Sequence, residues 1–295
     1  MKLSDSHEDA LIQRVTQHLH QRDDVLVGPG DDCAVITQAD GSLLLLKTDC
    51  VVESVHFLPE ADAERVGWKA LARVVSDIAA MGGTPTACVI TLILRPDTSV
   101  EWLDALYSGI QRCATDFELS IVGGETSSAP PLAPNIISVA GTGSLPPQHL
   151  VKRSTSQPGD AIFVTGSLGG SIHGKHLDFT PRLEPAQWLV KHHKPSAMMD
   201  LSDGLAKDLP RLAQLSQTHY QLDLNSLPLT PSCTTQQALA DGEDYELLFT
   251  LPPSLASDLQ NSWPSHFPPL TQIGHMTTAD SPSTPLNGGW EHFSS

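Results

Sequence analysis

Ser76-Asp77-Ile78-Ala79-Ala80-Met81-Gly82 is the stretch around which the fold can be read. Through it and upstream of it Val66, Ala70, Val74, Ile78 and Met81 recur at helical intervals, so the spacing predicts a helix from Asp62 to Met81 that Gly82-Gly83 closes. Before that helix lie two predicted strands, Ala34 to Thr37 and Leu43 to Thr48, around the turn Ala39-Asp40-Gly41-Ser42. A first helix over residues 5 to 20 carries Leu11, Ile12, Val15 and Leu19 on one face. After it come a strand at Thr86 to Leu94, a helix at Ser99 to Thr115, and strands at Leu119 to Val122 and Asn135 to Gly143. Leu145-Pro146-Pro147-Gln148 reads as a linker. Beyond it a strand at Ala161 to Thr165 runs into the Gly-rich stretch 166 to 170, followed by a helix at Leu183 to Lys191. Ser202 is expected to cap a further helix that Pro210 bends or interrupts, and Tyr245 to Leu251 is a last strand. The mixture predicts an α/β (α+β) protein of two domains, 1–147 and 148–295.

The 295 residues are 40% apolar and 17% charged, which suffices for a sizeable core. The formal net charge of −17 argues against a nucleic-acid partner, because so acidic a surface repels phosphate backbones. It permits phosphate ligands if divalent cations stand between them and the carboxylates. Five scattered cysteines without a Cys-x-x-Cys pair read as buried free thiols of a reducing compartment. The polar, acidic start lacks the form of a signal peptide, and the longest aliphatic tract, Leu43 to Leu46, is too short for a bilayer. These features predict a cytoplasmic protein without a membrane partner.

Acidic residues recur beside Gly, Ser or Thr: Gly30-Asp31-Asp32, Thr48-Asp49, Ser76-Asp77, Gly124-Glu125-Thr126, Asp200-Leu201-Ser202-Asp203 and Gly242-Glu243-Asp244. One such group is more often a turn or cap than a ligand. Six in one acidic chain suit Mg2+, which meets proteins through carboxylates and substrates through phosphates. P-loop, zinc and nucleophile-elbow motifs are absent, and Gly166 to Gly170 does not fit G-x-G-x-x-G. His192-His193, between Lys191 and Lys194, reads as a solvated helix end.

Taken in order, these strings closely resemble the thiamine-monophosphate kinase family, within the aminoimidazole ribonucleotide synthetase superfamily. The resemblance runs from about Glu8 to Phe293 and is carried best by Ser76 to Gly82 and by Gly242-Glu243-Asp244-Tyr245-Glu246-Leu247-Leu248-Phe249-Thr250. It implies a two-domain fold, a homodimer built on the N-terminal sheets, and direct transfer of the ATP γ-phosphoryl group to thiamine monophosphate, assisted by Mg2+. It further implies metal positions at Asp32, Thr48, Asp49, Asp77, Glu125, Asp200 and Asp203. Nucleotide contacts fall at Tyr107, Gly124, Arg153 and Ser202, and acceptor contacts at His56, Glu243 and Trp290. Asp203 and Lys47 are the groups expected to serve catalysis.

The chain departs from the family pattern at several points. Glu125 stands where Asp is usual, and Lys47 where a hydroxyl residue normally precedes Thr48-Asp49. Lys47 shares a strand face with Asp49 if the strand continues, and points to solvent if it has ended. The two departures are expected to compensate each other. The stretch from Gly170 to Pro181 is short. Two other readings stand beside the kinase: a diverged phosphotransferase of the superfamily acting on another small phosphate, and a non-catalytic nucleotide- or thiamine-binding scaffold. The selenophosphate synthetase branch is disfavoured by the lack of Cys in the first 32 residues, and the hydrogenase-maturation branch by the end His292-Phe293-Ser294-Ser295.

Overall fold

The computed structural model describes residues 2–5 and 7–293; Ser6, in the predicted first helix, and the final Ser294-Ser295 lie outside the described residues. Helix α1 (Glu8–Thr16) is shorter than expected and buries no residue. Then come β1 (Val25–Val27), β2 (Ala34–Thr37), β3 (Leu43–Val52), α2 (Ala63–Ala80), β4 (Thr84–Leu94), α3 (Val100–Asp116), β5 (Ser120–Ser128) and β6 (Ile136–Leu145). Together these strands form one sheet in the order β1-β2-β3-β6-β4-β5, in which β4 and β5 run parallel.

Chain 161–277 builds a second, antiparallel sheet. It holds β7 (Ala161–Thr165), β8 (Ala197–Asp200), β9 (His219–Leu222), β10 (Leu247–Leu251) and β11 (Leu270–Thr277), in the order β8-β10-β7-β11-β9. Its helices are α4 (Lys175–Asp178), α5 (Leu183–His192), α6 (Leu205–Leu215), α7 (Thr235–Ala240) and α8 (Pro253–Ser262).

α2 binds the two halves. Asp62 caps it by accepting from the Glu64 N–H at 2.8 Å. At the other end Gly82, at φ 79°, turns the chain so that Gly83 N–H donates to the Ile78 carbonyl. Ile78 and Met81 enter the core under the first sheet, while Ala79 and Ala80 enter the core of Phe163, Leu189 and Phe249. The small residues of Ser76 to Gly82 thus let one helix end serve two cores. Against α3 the contact is backbone on backbone. A Cβ added at Gly109 would lie 1.7 Å from the Glu64 carbonyl, and one at Gly67 2.0 Å from that of Leu106.

Several expectations are corrected. β5 continues through Gly123 and Gly124, because Gly124 lets it approach the Ile90 carbonyl, 2.0 Å from where a Cβ would stand. Gly204, not Ser202, is the N-cap of α6; Asp208 in the first turn accepts from the Asp203 N–H at 3.0 Å. α6 continues past Pro210 to Leu215. β10 begins at Leu247 rather than Tyr245, since Glu243 and Tyr245 hold positive φ of 63° and 50°. Lys191, His192 and Lys194 are exposed as a solvated helix end, but His193 is buried and pairs with the Ser262 hydroxyl. All five cysteines are free, but Cys50 is exposed.

Candidate active site

Asp32 follows β1, Asp77 projects from α2 and Asp200 ends β8. All three are buried, and each offers a carboxylate oxygen within 4.8 Å of the others. Arg153 holds both oxygens of Asp32, through Nη2 and, at 3.1 Å, through Nε. Lys47 Nζ donates to Asp77 Oδ1 at 2.9 Å. Ser76 donates to Asp200 Oδ2 at 2.5 Å, and Asp200 Oδ1 is buried with no hydrogen-bond partner among the described residues. Burial and the Asp32 charge push the Asp200 carboxyl up to about 6. Burial likewise holds Asp77 well above the usual carboxylate range, Lys47 opposing and Asp200 and Asp49 adding. An anionic, all-oxygen donor set with one unsatisfied oxygen fits a hard divalent cation.

β3 explains Lys47. The strand runs to Val52, so its alternation places Leu45, Lys47, Asp49 and Val51 on the inner face. The solvent-facing reading of Lys47 therefore fails. The same alternation puts Thr48 on the opposite, exposed face. Asp49 pairs with Arg73 at 3.0 Å rather than joining the three acids. Asp203 also lies outside that group, 3.2 Å from both Lys207 and Arg211. Glu125, exposed on β5, accepts from Ser127 at 3.4 Å. Two strands separate β3 from β5, about 14 Å at the usual spacing, so Lys47 and Glu125 are not joined within the chain as a compensating pair. Tyr107 is exposed on α3, and the Ser202 carbonyl accepts from the Glu243 N–H at 2.7 Å.

Beside the acids lies a second cluster, which does gather His56, Glu243 and Trp290. Lys69, fully buried on α2, donates to the His56 carbonyl at 2.6 Å and to Glu243 Oε2 at 2.8 Å, and meets His176 Nδ1 at 2.8 Å. Tyr245 stacks on Phe179 and donates to Glu243 at 3.2 Å. The rings of His56 and Trp290 flank His292 with centroids 6.0 and 5.9 Å away. His56 Nδ1 accepts from the Val52 N–H at 3.0 Å, which puts the proton of the neutral ring on Nε2. Burial, with Arg73 adding, brings the His56 imidazole down to about 4. Burial wins again at Lys69, lowered to about 8 against the pull of Glu243. At Glu243 burial loses: the His176 hydrogen bond and the Lys69 and Arg73 charges bring it down to about 2.

Lys69, Arg73, His176 and His292 were not singled out from sequence. A signal existed on α2, where Lys69, Arg73, Ser76 and Asp77 are polar breaks at helical spacing in an apolar helix. The Gly-rich turn after β7 is no anion cradle, because the Gly169 and Gly170 N–H groups are already donated to Asp244 and Asp241.

Residues 30–145, nearly the whole first sheet, match the family described as AIR synthase related protein, N-terminal domain. Thiamine-monophosphate kinase of Rhodopirellula baltica is 33% identical over 91% of this chain and 89% of its own. That of Escherichia coli (strain K12) is 32% identical over 92% and 90%. The solved structure of AaThiL complexed with AMPPCP and TMP superposes with a TM-score of 0.85 at 30% identity, covering 99% of both chains. No helix of the described residues is long and apolar enough to cross a membrane. On this likeness across nearly its whole length, the chain belongs to the thiamine-monophosphate kinase family.

Proposed function

We propose that this chain transfers the γ-phosphoryl group of ATP to thiamine monophosphate, giving thiamine diphosphate and ADP, with Mg2+ held by Asp32, Asp77 and Asp200. One observation carries the reading. A buried carboxylate trio with an unsatisfied Asp200 Oδ1 lies in a chain that superposes along 99% of its length on a protein complexed with AMPPCP and TMP. Bound there, Mg2+ would neutralise phosphate charge and align the donor. Arg153 supplies a fixed guanidinium for phosphate beside the trio. Gly124, Ser202 and Tyr107 are the further nucleotide contacts, and Asp49, Asp203, Thr48 and Glu125 the further metal positions, that the family pattern suggests. His56, Glu243 and Trp290 hold the acceptor, the indole face suiting a cationic thiazolium.

The proposal extends to a homodimer and to a division at 147/148. The face of the first sheet that bears Leu46, Thr48, Cys50 and Val89 is exposed and partly apolar, as a surface meeting a second copy would be. Free cysteines support the cytoplasm as its compartment. The test is diphosphate formation by wild type and Asp200→Asn, with circular dichroism of both. Wild-type turnover and at least a hundredfold loss in a folded variant are expected. A folded Asp200→Asn with undiminished turnover would remove the trio from the reaction.

A further inference from the structure

The three carboxylates are unequally engaged. Asp32 is saturated by Arg153, and Asp77 meets Lys47, whereas Asp200 is met by one hydroxyl and keeps a bare oxygen. Lys47 differs from Arg153 in kind. Its compact ammonium is held among the site's acids and, among the described residues, forms its ion pair with Asp77. Nor is it free to withdraw. Its backbone lies mid-way in a ten-residue strand, paired with Gly141 of β6, and strand alternation fixes its side chain on the Asp49 face. Moving Lys47 to the opposite face of the sheet would require the register of β3 to slip.

We propose that Lys47 is a resident cation of this site: its ammonium takes up charge on Asp77 that a divalent ion would otherwise claim, and so limits how many divalent ions bind, or how tightly. This rests on the reading of Asp32, Asp77 and Asp200 as the metal site. The charge count supports it. With Asp31, which shares Arg153, four carboxylates faced by one guanidinium and one ammonium retain two formal negative charges, which one divalent ion neutralises. Without the ammonium the balance is three negative charges, and Asp77 Oδ1 becomes free to coordinate. A divalent ion beside Asp77 also repels an ammonium 2.9 Å from the same oxygen.

The test is calorimetric titration of Mn2+ into the full chain without thiamine monophosphate, for wild type and for Lys47→Thr, Lys47→Gln and Lys47→Arg. Each protein's unfolding midpoint is recorded. Lys47→Thr and Lys47→Gln are expected to bind Mn2+ at least tenfold more tightly, or to take up one more ion per chain, while Lys47→Arg stays within about threefold of wild type. If Lys47→Thr fails to fold, Lys47→Gln, which keeps most of the stem, carries the comparison. Equal stoichiometry and affinity in wild type and the neutral variants would overturn the proposal. If that equality is found in a chain that does form thiamine diphosphate, the lysine's role falls and the kinase reading stands. Should none of the four proteins bind Mn2+, the metal site falls and the resident cation with it.

Discussion

Lys69 lies fully buried with its ammonium shared among Glu243, His176 and the His56 carbonyl. Removing one member of such a pair strands the other's charge, so Lys69→Met should cost about 3 kcal/mol or more in chemical denaturation. Adding Glu243→Gln should restore part of that loss, because residues in one network are non-additive. Glu243 also sets a pH dependence. Its carboxyl is lowered in the native state to about 2 from an ordinary 4.5, so it binds fewer protons folded than unfolded. The stability it contributes is complete above about pH 4.5 and drains away as pH falls toward 2. Thermal melts between pH 6 and 3 should therefore fall more steeply for wild type than for Glu243→Gln, and parallel curves would contradict the assignment. At this scale the resemblance set Asp32, Asp77 and Asp200 among seven metal positions and strand alternation offered Lys47 to them, but the pairing of Arg153 with Asp32 and of Ser76 with Asp200 was not legible. Whether Asp203 meets Lys207 and Arg211 or the trio is decided by side-chain direction, which sequence order does not encode.

α2 and α3 were legible as helices from their apolar period, within one residue at most ends. Their closeness was not, since Gly67 and Gly109 look like simple helix weakeners until both helices are set side by side. Gly109→Ala should gain about 1 kcal/mol in helix propensity but lose about 3 kcal/mol to the clash with the Glu64 carbonyl. A net drop of about 2 kcal/mol in urea denaturation is expected, and a stabilised variant would mean that the helices stand further apart. Two of the overlooked strands, β8 and β9, share a cause. Ala-Met-Met-Asp of β8 and His-Tyr-Gln-Leu of β9 are four residues each without a β-branched side chain, and β11 carries a register shift at Gly274. Neighbouring strands, not local preference, make them strands.

Across the whole molecule, the elements of the candidate site come from both sheets: Lys47 from the first, Asp200 from the second, and Asp77 from the helix between. Leu145-Pro146-Pro147 supports the proposed division at 147/148, whereas the way Ala79 and Ala80 plug α2 into the second core was not legible in the sequence. The exposed sheet face gives a prediction at this scale. Val89→Lys, which puts a charge on that face, should shift sedimentation at micromolar concentration from dimer to monomer. A wild type that sediments as a monomer would rule the dimer out.

Asp32, Asp77 and Asp200 would hold the Mg2+ that assists direct phosphoryl transfer from ATP to thiamine monophosphate. Phosphorus-31 NMR of the wild-type chain with ATP, thiamine monophosphate and Mg2+ follows donor and acceptor at once. Thiamine diphosphate and ADP are expected to grow in equal amounts with no orthophosphate, and no transfer is expected when EDTA exceeds the metal. Orthophosphate released without diphosphate, or transfer unaffected by EDTA, would contradict this assignment.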